Sequence, residues 1–251
     1  MPNTSEHLVK SYDQELNRLH SLIADMGGIV ESQVALAAKA ILARDSSTAA
    51  RVIDDDTKVD ALEREVEQFV IRMLALRQPM AGDLRRIVSA LKITGDLERI
   101  GDYAANVAKR SIVLSQIGLP FSLSGIGHMA LLVQENLKTI IDAVGEEDAD
   151  KALQVWHSDQ AIDDLYNTIF RELITYMMED PRSITPCTHL LFIAKNLERM
   201  GDHATNIAEN LHYAITGELL ADERPKGAAS AYAVVRPPED TAAPGALRGA
   251  P

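Results

Sequence analysis

LKITGDLERIGDYAANVAKR, residues 91–110, recurs one hundred residues later as LFIAKNLERMGDHATNIAEN, residues 191–210. At that offset the two segments share Leu, Ile, Leu, Glu, Arg, Gly, Asp, Ala, Asn and Ala in register. Upstream, Asp56, Val59, Asp60 and Leu62 correspond to Asp159, Ile162, Asp163 and Leu165 at an offset of 103, and Pro79 corresponds to Pro181. Identity at this density does not arise by chance, so the chain is read as a duplicated unit.

The apolar pattern makes each unit helical. From Leu8 through Tyr12, Leu16, Leu19, Ile23 and Met26 to Ile41, apolar residues follow one another at spacings of three or four, which lines one face of a long helix. Breaks at Asp45-Ser46-Ser47, Gln78-Pro79, Gly118-Leu119-Pro120, Gly145-Glu146-Glu147-Asp148 and Asp180-Pro181 delimit six helices. Their expected spans are 6–43, 46–77, 83–116, 123–144, 148–179 and 186–216. The expected fold is all-α: two tandem three-helix bundles, 1–120 and 121–220, followed by a tail, 221–251. The last 27 residues, from Pro225, hold five of the ten prolines, three glycines and eight alanines, a composition that predicts disorder.

Composition narrows the function classes. The 251 residues carry 25 basic and 37 acidic side chains, a net charge of −12, and aromatic residues make up only 4%. So acidic and aromatic-poor a chain is a poor binder of nucleic acid or anionic membranes. Cys187, the single cysteine, has no partner for an internal disulfide and reads as a small buried apolar residue in a reducing compartment. MPNTSEHLVK has no apolar core of the signal-peptide type, so a cytoplasmic location is expected. Residues 111–134 lack Asp, Glu, Lys and Arg but are broken by Gly118, Pro120, Gly125 and Gly127; they read as a buried junction between the bundles rather than a membrane span.

The residues with chemical content are carboxylates one helical turn apart. Asp56 and Asp60, Glu98 and Asp102, Asp159 and Asp163, and Glu198 and Asp202 are each spaced i to i+4 and continue the apolar stripes of their helices. If the second and third helices of each unit are antiparallel neighbours, two pairs converge in each bundle. Like charges about 5 Å apart at an effective dielectric of about 20 repel by roughly 3 kcal/mol. Protons, arginines or bound cations must therefore neutralise each cluster. Arg99 and Arg199 follow Glu98 and Glu198 by about 100° around the helix, a placement that does not cover the pairs. Oxygen-only donor sets suit hard cations such as Mg²⁺, Ca²⁺, Mn²⁺ or iron, with Zn²⁺ less favoured. Solvated or arginine-paired helix faces satisfy the same spacing, and both readings stand on spacing alone.

Several neighbours are assigned lesser roles. Asn106 and Asn206 read as capping or packing groups, with amide ligands as the alternative, and Gly95, Gly101 and Gly201 as points of close helix approach. Glu63 and Glu67 extend the first acidic row, but Tyr166 and Phe170 replace them in the second unit, which marks the glutamates as surface or auxiliary groups. His203 reads as an ordinary histidine on its helix flank, with a nitrogen ligand as the alternative; His189 and Trp156 read as packing residues.

DLERIGDYAANVAK and NLERMGDHATNIAE, each following an Asp-xxx-Asp helix, closely resemble the paired signature of the PhoU family, bacterial phosphate-signalling regulators. The resemblance runs over about residues 8–216; only the proline-rich tail departs from it. It implies two three-helix bundles related by a pseudo-twofold axis. It implies multinuclear metal clusters, of Mg, Mn, Fe or Zn, on Asp56, Asp60, Glu98 and Asp102 and on Asp159, Asp163, Glu198 and Asp202. It further implies a cytoplasmic negative regulator of the phosphate-starvation response, coupling the ATP-binding subunit of the high-affinity phosphate ABC transporter to the phosphate sensor histidine kinase. Association with the membrane would run through those partners, and a homodimer is compatible with the family.

The rival is an all-helical metal-dependent enzyme acting on a phosphorylated substrate. A DDxxD diphosphate motif starting at Asp55 would need Asp at 59, where Val59 stands. A ferritin-like di-iron centre wants two Glu-xx-His motifs, and only Glu209 with His212 supplies one. No phosphate-binding Gly-rich loop, nucleophile elbow or His-Glu-xx-His is present. A non-catalytic adaptor is the favoured expectation.

Overall fold

In the computed structural model, which describes residues 4–119 and 122–220 with side chains from Tyr12 onward, six helices follow one another. They are α1 (Thr4–Ala43), α2 (Ser46–Arg77), α3 (Ala81–Ser115), α4 (Ser124–Glu146), α5 (Ala149–Glu179) and α6 (Ile184–Thr216), with a 3₁₀ turn, Pro181–Ser183, leading into the last. Their ends lie within two residues of the expected spans. The expected bundle boundary near residue 120 and the tail from residue 221 fall outside the described residues.

Duplication is visible in the turns. Arg44 and Glu147, 103 residues apart, both take left-handed backbone conformations, with φ of 55° and 52°. The next residue in each case, Asp45 or Asp148, donates its N–H back to the preceding helix, to Ala40 O and Ala143 O, both at 3.0 Å. Each then caps the following helix: Asp45 accepts from the amides of Ser47 and Thr48, and Asp148 from those of Asp150 and Lys151. These bonds satisfy amides that a helix start leaves unpaired. Arg44 adds a long-range tie, donating to Leu114 O at 2.8 Å and to Ile117 O at the C-terminal end of α3.

Helices α1, α2 and α3 pack together, as do α4, α5 and α6, and the two bundles join along α3 with α6 and α1 with α4. Small residues permit the second contact. A Cβ on Gly27 would stand 3.1 Å from Ile141 Cγ2, and one on Gly127 3.3 Å from Leu42 Cδ2. One continuous aliphatic core runs through both bundles, from Leu19 to Leu211. Burial of that area is the main favourable term for folding. Tyr12–Ala43 is long and apolar enough to cross a membrane, yet half of its most apolar stretch is buried against the other helices. Leu19, Ile23, Met26, Val30 and Val34 are its core face.

The charge-free stretch is buried through its helical faces. Ser111, Leu114, Ile126, Met129 and Val133 are buried, whereas Gln116, Gly118, Ser122 and Ser124 in and beside the turn are exposed. Cys187 is fully buried and burial pushes its thiol pKa up, the state of an inert core residue. Trp156 is buried, with its indole N–H donating to Glu209 Oε1 at 3.1 Å.

Candidate functional site

The burial pattern of 91–110 is repeated almost residue for residue in 191–210, so the duplicated strings occupy equivalent environments. Where α3 passes α2, Gly101 leaves room for the α2 acidic row. A Cβ there would stand 3.1 Å from Gln33 Oε1 and 3.5 Å from both Asp56 Oδ1 and Val59 Cγ1. Where α6 passes α5, Gly201 plays the same part, with Ile162 Cδ1 at 2.9 Å and Asp159 Oδ1 at 3.7 Å. Each glycine lays the first carboxylate of one helix on the backbone of the next.

In the first bundle the four expected carboxylates converge electrostatically. Asp56 is pushed up by burial and then by the charges of Asp102 and Asp60. Glu98 is pushed up to about 7 by burial and by Asp102, Glu63 and Asp60, against the pull of Arg99. One expectation is corrected here and another is narrowed. Arg99 does cover its pair: Nε lies 3.6 Å from Glu98 Oε2 and Nη1 3.4 Å from Asp102 Oδ2. Its long side chain sweeps back across the helix surface, a reach that the 100° Cα offset does not convey. It is 58% exposed, so it screens the flank more than it neutralises the interior. Glu63 belongs to the cluster rather than to the open surface; it is half-buried, and burial, Glu67 and Asp60 push its pKa up. Its position, three residues beyond Asp60 on the acidic row, was the signal.

In the second bundle, Asp159 is almost fully buried and accepts from the Thr205 hydroxyl at 3.2 Å. Glu198 Oε1 accepts from Lys195 Nζ at 2.5 Å, while its buried Oε2 has no hydrogen-bond partner. Burial pushes the Glu198 pKa up; Lys195 opposes the shift, and Asp202 and Asp163 add to it. Among the described residues of either bundle, no three His, Cys, Asp or Glu side chains are gathered tightly enough to enclose an ion. The carboxylates share a field without sharing a ligand position.

Between the bundles, the repeat mates Tyr103 and His203 meet, their ring centroids 5.6 Å apart. His203 Nδ1 is 2.8 Å from Asp96 Oδ1, and Asn206 Nδ2 donates to the same oxygen at 3.4 Å. His203 and Asn206 of α6 are thus engaged by α3. Gly95 is a further correction: no heavy atom lies within 4 Å of its Cβ position, so close packing does not require it. It borders an open cleft with Glu63, Asp96, Glu98, Arg99 and His203.

The family model for the PhoU domain matches this chain twice, over residues 23–111 and 126–211. The chain belongs to the PhoU family. A phosphate-specific transport system accessory protein PhoU homolog of Caulobacter vibrioides is 52% identical over 223 residues, covering 88% of this chain and 97% of that protein. One from Rhizobium meliloti is 47% identical over 221 residues, 88% and 93% of the respective chains. The crystal structure of PhoU from Pseudomonas aeruginosa superposes with a TM-score of 0.81 at 42% identity, over 82% of this chain and all of that one. The PhoU phosphate transport system regulatory protein of Streptococcus pneumoniae gives 0.77 at 31% identity, over 83% and 99%. The PhoU fold therefore accounts for both bundles.

Proposed function

We propose that this chain is a cytoplasmic, non-catalytic accessory regulator of a phosphate transport system, repressing the phosphate-starvation response when phosphate is plentiful. Its likeness to PhoU accessory proteins across both repeats, and along nearly their whole length, carries the reading. The ATP-binding subunit of the transporter and the phosphate sensor histidine kinase are the partners on this reading, with membrane association through them. A strain lacking the protein should express phosphate-starvation genes in phosphate-rich medium, and purified protein should retain the transporter ATPase in a pull-down. Normal repression in the deletion strain would sink the proposal.

The same reading includes hard cations, Mg²⁺, Mn²⁺ or iron, on the carboxylate pairs. The first bundle carries this part of the reading furthest: Asp60 and Asp102 destabilise the ionised forms of Asp56 and Glu98, against the opposing charges of Arg99 at Glu98 and of Lys109 at Asp56. Gln33 supports this, because it is buried at the same helix crossing and its Oε1 lacks a donor. A bound cation would add positive charge to carboxylates that burial and one another's charge raise. Closing on an ion requires rotation of these side chains, which their half-buried positions permit.

A further inference from the structure

Where the two bundles join, an apolar groove opens to the surface. Ile23 and Ala24 of α1, Ile93 of α3, Val144 of α4, and Leu211 and Ile215 of α6 line it. It continues along the same seam past Gly27 and Ile207. Ala24 is exposed and Val144 and Ile215 are half-buried, so the groove admits a side chain from outside. Its rim is polar and balanced in charge: the Glu147 carboxylate lies 3.7 Å from His20 Nε2 and 3.4 Å from Arg86 Nη2. An apolar floor with a polar rim suits a short apolar segment carrying one tyrosine, whose ring is apolar and whose hydroxyl is not.

The chain reaches its last described residue, Leu220, close to this groove. Helix α6 supplies Leu211 and Ile215 and ends at Thr216; Gly217 then turns the chain, with φ of 78°, against α3, where its Cβ position would stand 3.1 Å from Arg85 Cζ. Ile215 is five residues before Leu220, which keeps the groove within about 18 Å of it. Among the described residues, Arg85 Nε is buried and has no hydrogen-bond partner. The first charged residues beyond Leu220 are Asp222 and Glu223, the complement of that guanidinium. Farther on, Ala231-Tyr232-Ala233-Val234-Val235 is the one place in residues 221–251 where large apolar side chains cluster. In an extended backbone Tyr232 and Val234 share a face. The twelve residues from Leu220 to Tyr232 reach up to about 40 Å, ample for the span.

We infer that the segment 231–235 of this same chain docks in the groove between the bundles, with Tyr232 and Val234 against its apolar walls, the Tyr232 hydroxyl at the polar rim, and the Asp222-Glu223 pair meeting Arg85 on the way. The composition of the tail gives it too little apolar surface to fold by itself, and the groove supplies the other half of the contact. A tether of this length holds the segment at the groove at an effective concentration of the order of millimolar, which sets it ahead of any free peptide. Once docked it touches α1 and α3 of one bundle and α4 and α6 of the other, and braces their junction.

Disulfide trapping in the full chain tests the docking, since Cys187, the single native thiol, is buried. Under mild oxidation of dilute protein, Ala24→Cys/Val234→Cys should close within one chain about tenfold faster or more than Ala24→Cys/Ala243→Cys, whereas the difference in tether length alone accounts for about twofold. Adding Tyr232→Asp to the first pair should slow closure to the rate of the second. Ala24 is exposed and the other changes lie in the tail, so the bundles keep their core, which helical circular dichroism checks for each variant. Equal rates for the two pairs, or a Tyr232→Asp chain that closes as fast as its parent, would overturn the docking. A disulfide-linked dimer in place of the closed monomer would give the groove to the tail of a second copy and overturn it equally.

Discussion

Tyr103 and His203 occupy the same place in two copies of one sequence, and their rings touch, 5.6 Å between centroids. The two copies therefore meet at equivalent positions where α3 packs on α6. The contacts around this pair have diverged in chemistry. On one side Asp96 receives His203 and Asn206, and on the other the Arg199 guanidinium lies over Tyr103 at 5.7 Å.

Removing the charge from Asp96 tests how much that junction contributes. Asp96→Ala leaves His203 without its acceptor at a site where both side chains are mostly buried. Thermal unfolding should show a loss of about 1–2 kcal/mol. An unchanged melting temperature would mean that aliphatic packing alone holds the bundles.

Apo-protein stability should fall as pH rises through the range between the ordinary glutamate pKa, near 4.5, and 7. Glu98 is raised to about 7 in the folded chain, so the folded state binds more protons than the unfolded one across that window. Asp56 and Glu63, both raised, act in the same direction. Glu98→Gln should flatten the slope and stabilise the chelated protein at pH 8. A slope of the opposite sign in unaltered chelated protein would count against the cluster.

Chelation at pH 8 should lower the melting temperature of metal-loaded protein without reducing its helical content. The apolar stripes that form the bundles are independent of the carboxylates, so metal loss uncovers a local repulsion and does not dissolve the core. Unfolding on chelation at room temperature would show that the ion is a structural requirement.

Two glycines in the repeated strings should respond oppositely to alanine. Gly95→Ala enters open space and should stabilise by about 0.5–1 kcal/mol through helix propensity. Gly201→Ala places a methyl 2.9 Å from Ile162 Cδ1, inside a core where Ile162 is fully buried. The strain should exceed the propensity gain and cost about 1–2 kcal/mol. Comparing the two melting temperatures separates close packing from mere backbone freedom.

Six helices and the duplication were legible in the chain because each rests on local rules. Apolar residues every three or four positions, Asp45 and Asp148 before helix starts, and Pro79 and Pro181 at breaks act over a few residues and need no knowledge of the fold. The eight carboxylates were legible for the same reason, since spacing alone aligns each pair on one helix face. What those carboxylates face depends on other helices and on side-chain reach. Arg99 folding back onto Glu98 and Asp102, Glu63 joining the first cluster, and Gly95 opening on a cleft while Gly101 is closed by Gln33 and Asp56 are outcomes of three-dimensional packing. His203 turned on Asp96, 107 residues away in sequence, because α3 and α6 pack together. Sequence identity between the repeats determined a shared backbone and burial pattern. Only the tertiary structure decided that Lys195, beside Tyr166, brings its charge to Glu198 while Arg99 brings its own to Glu98 and Asp102, because charge balance at a site is set by what surrounds it in space.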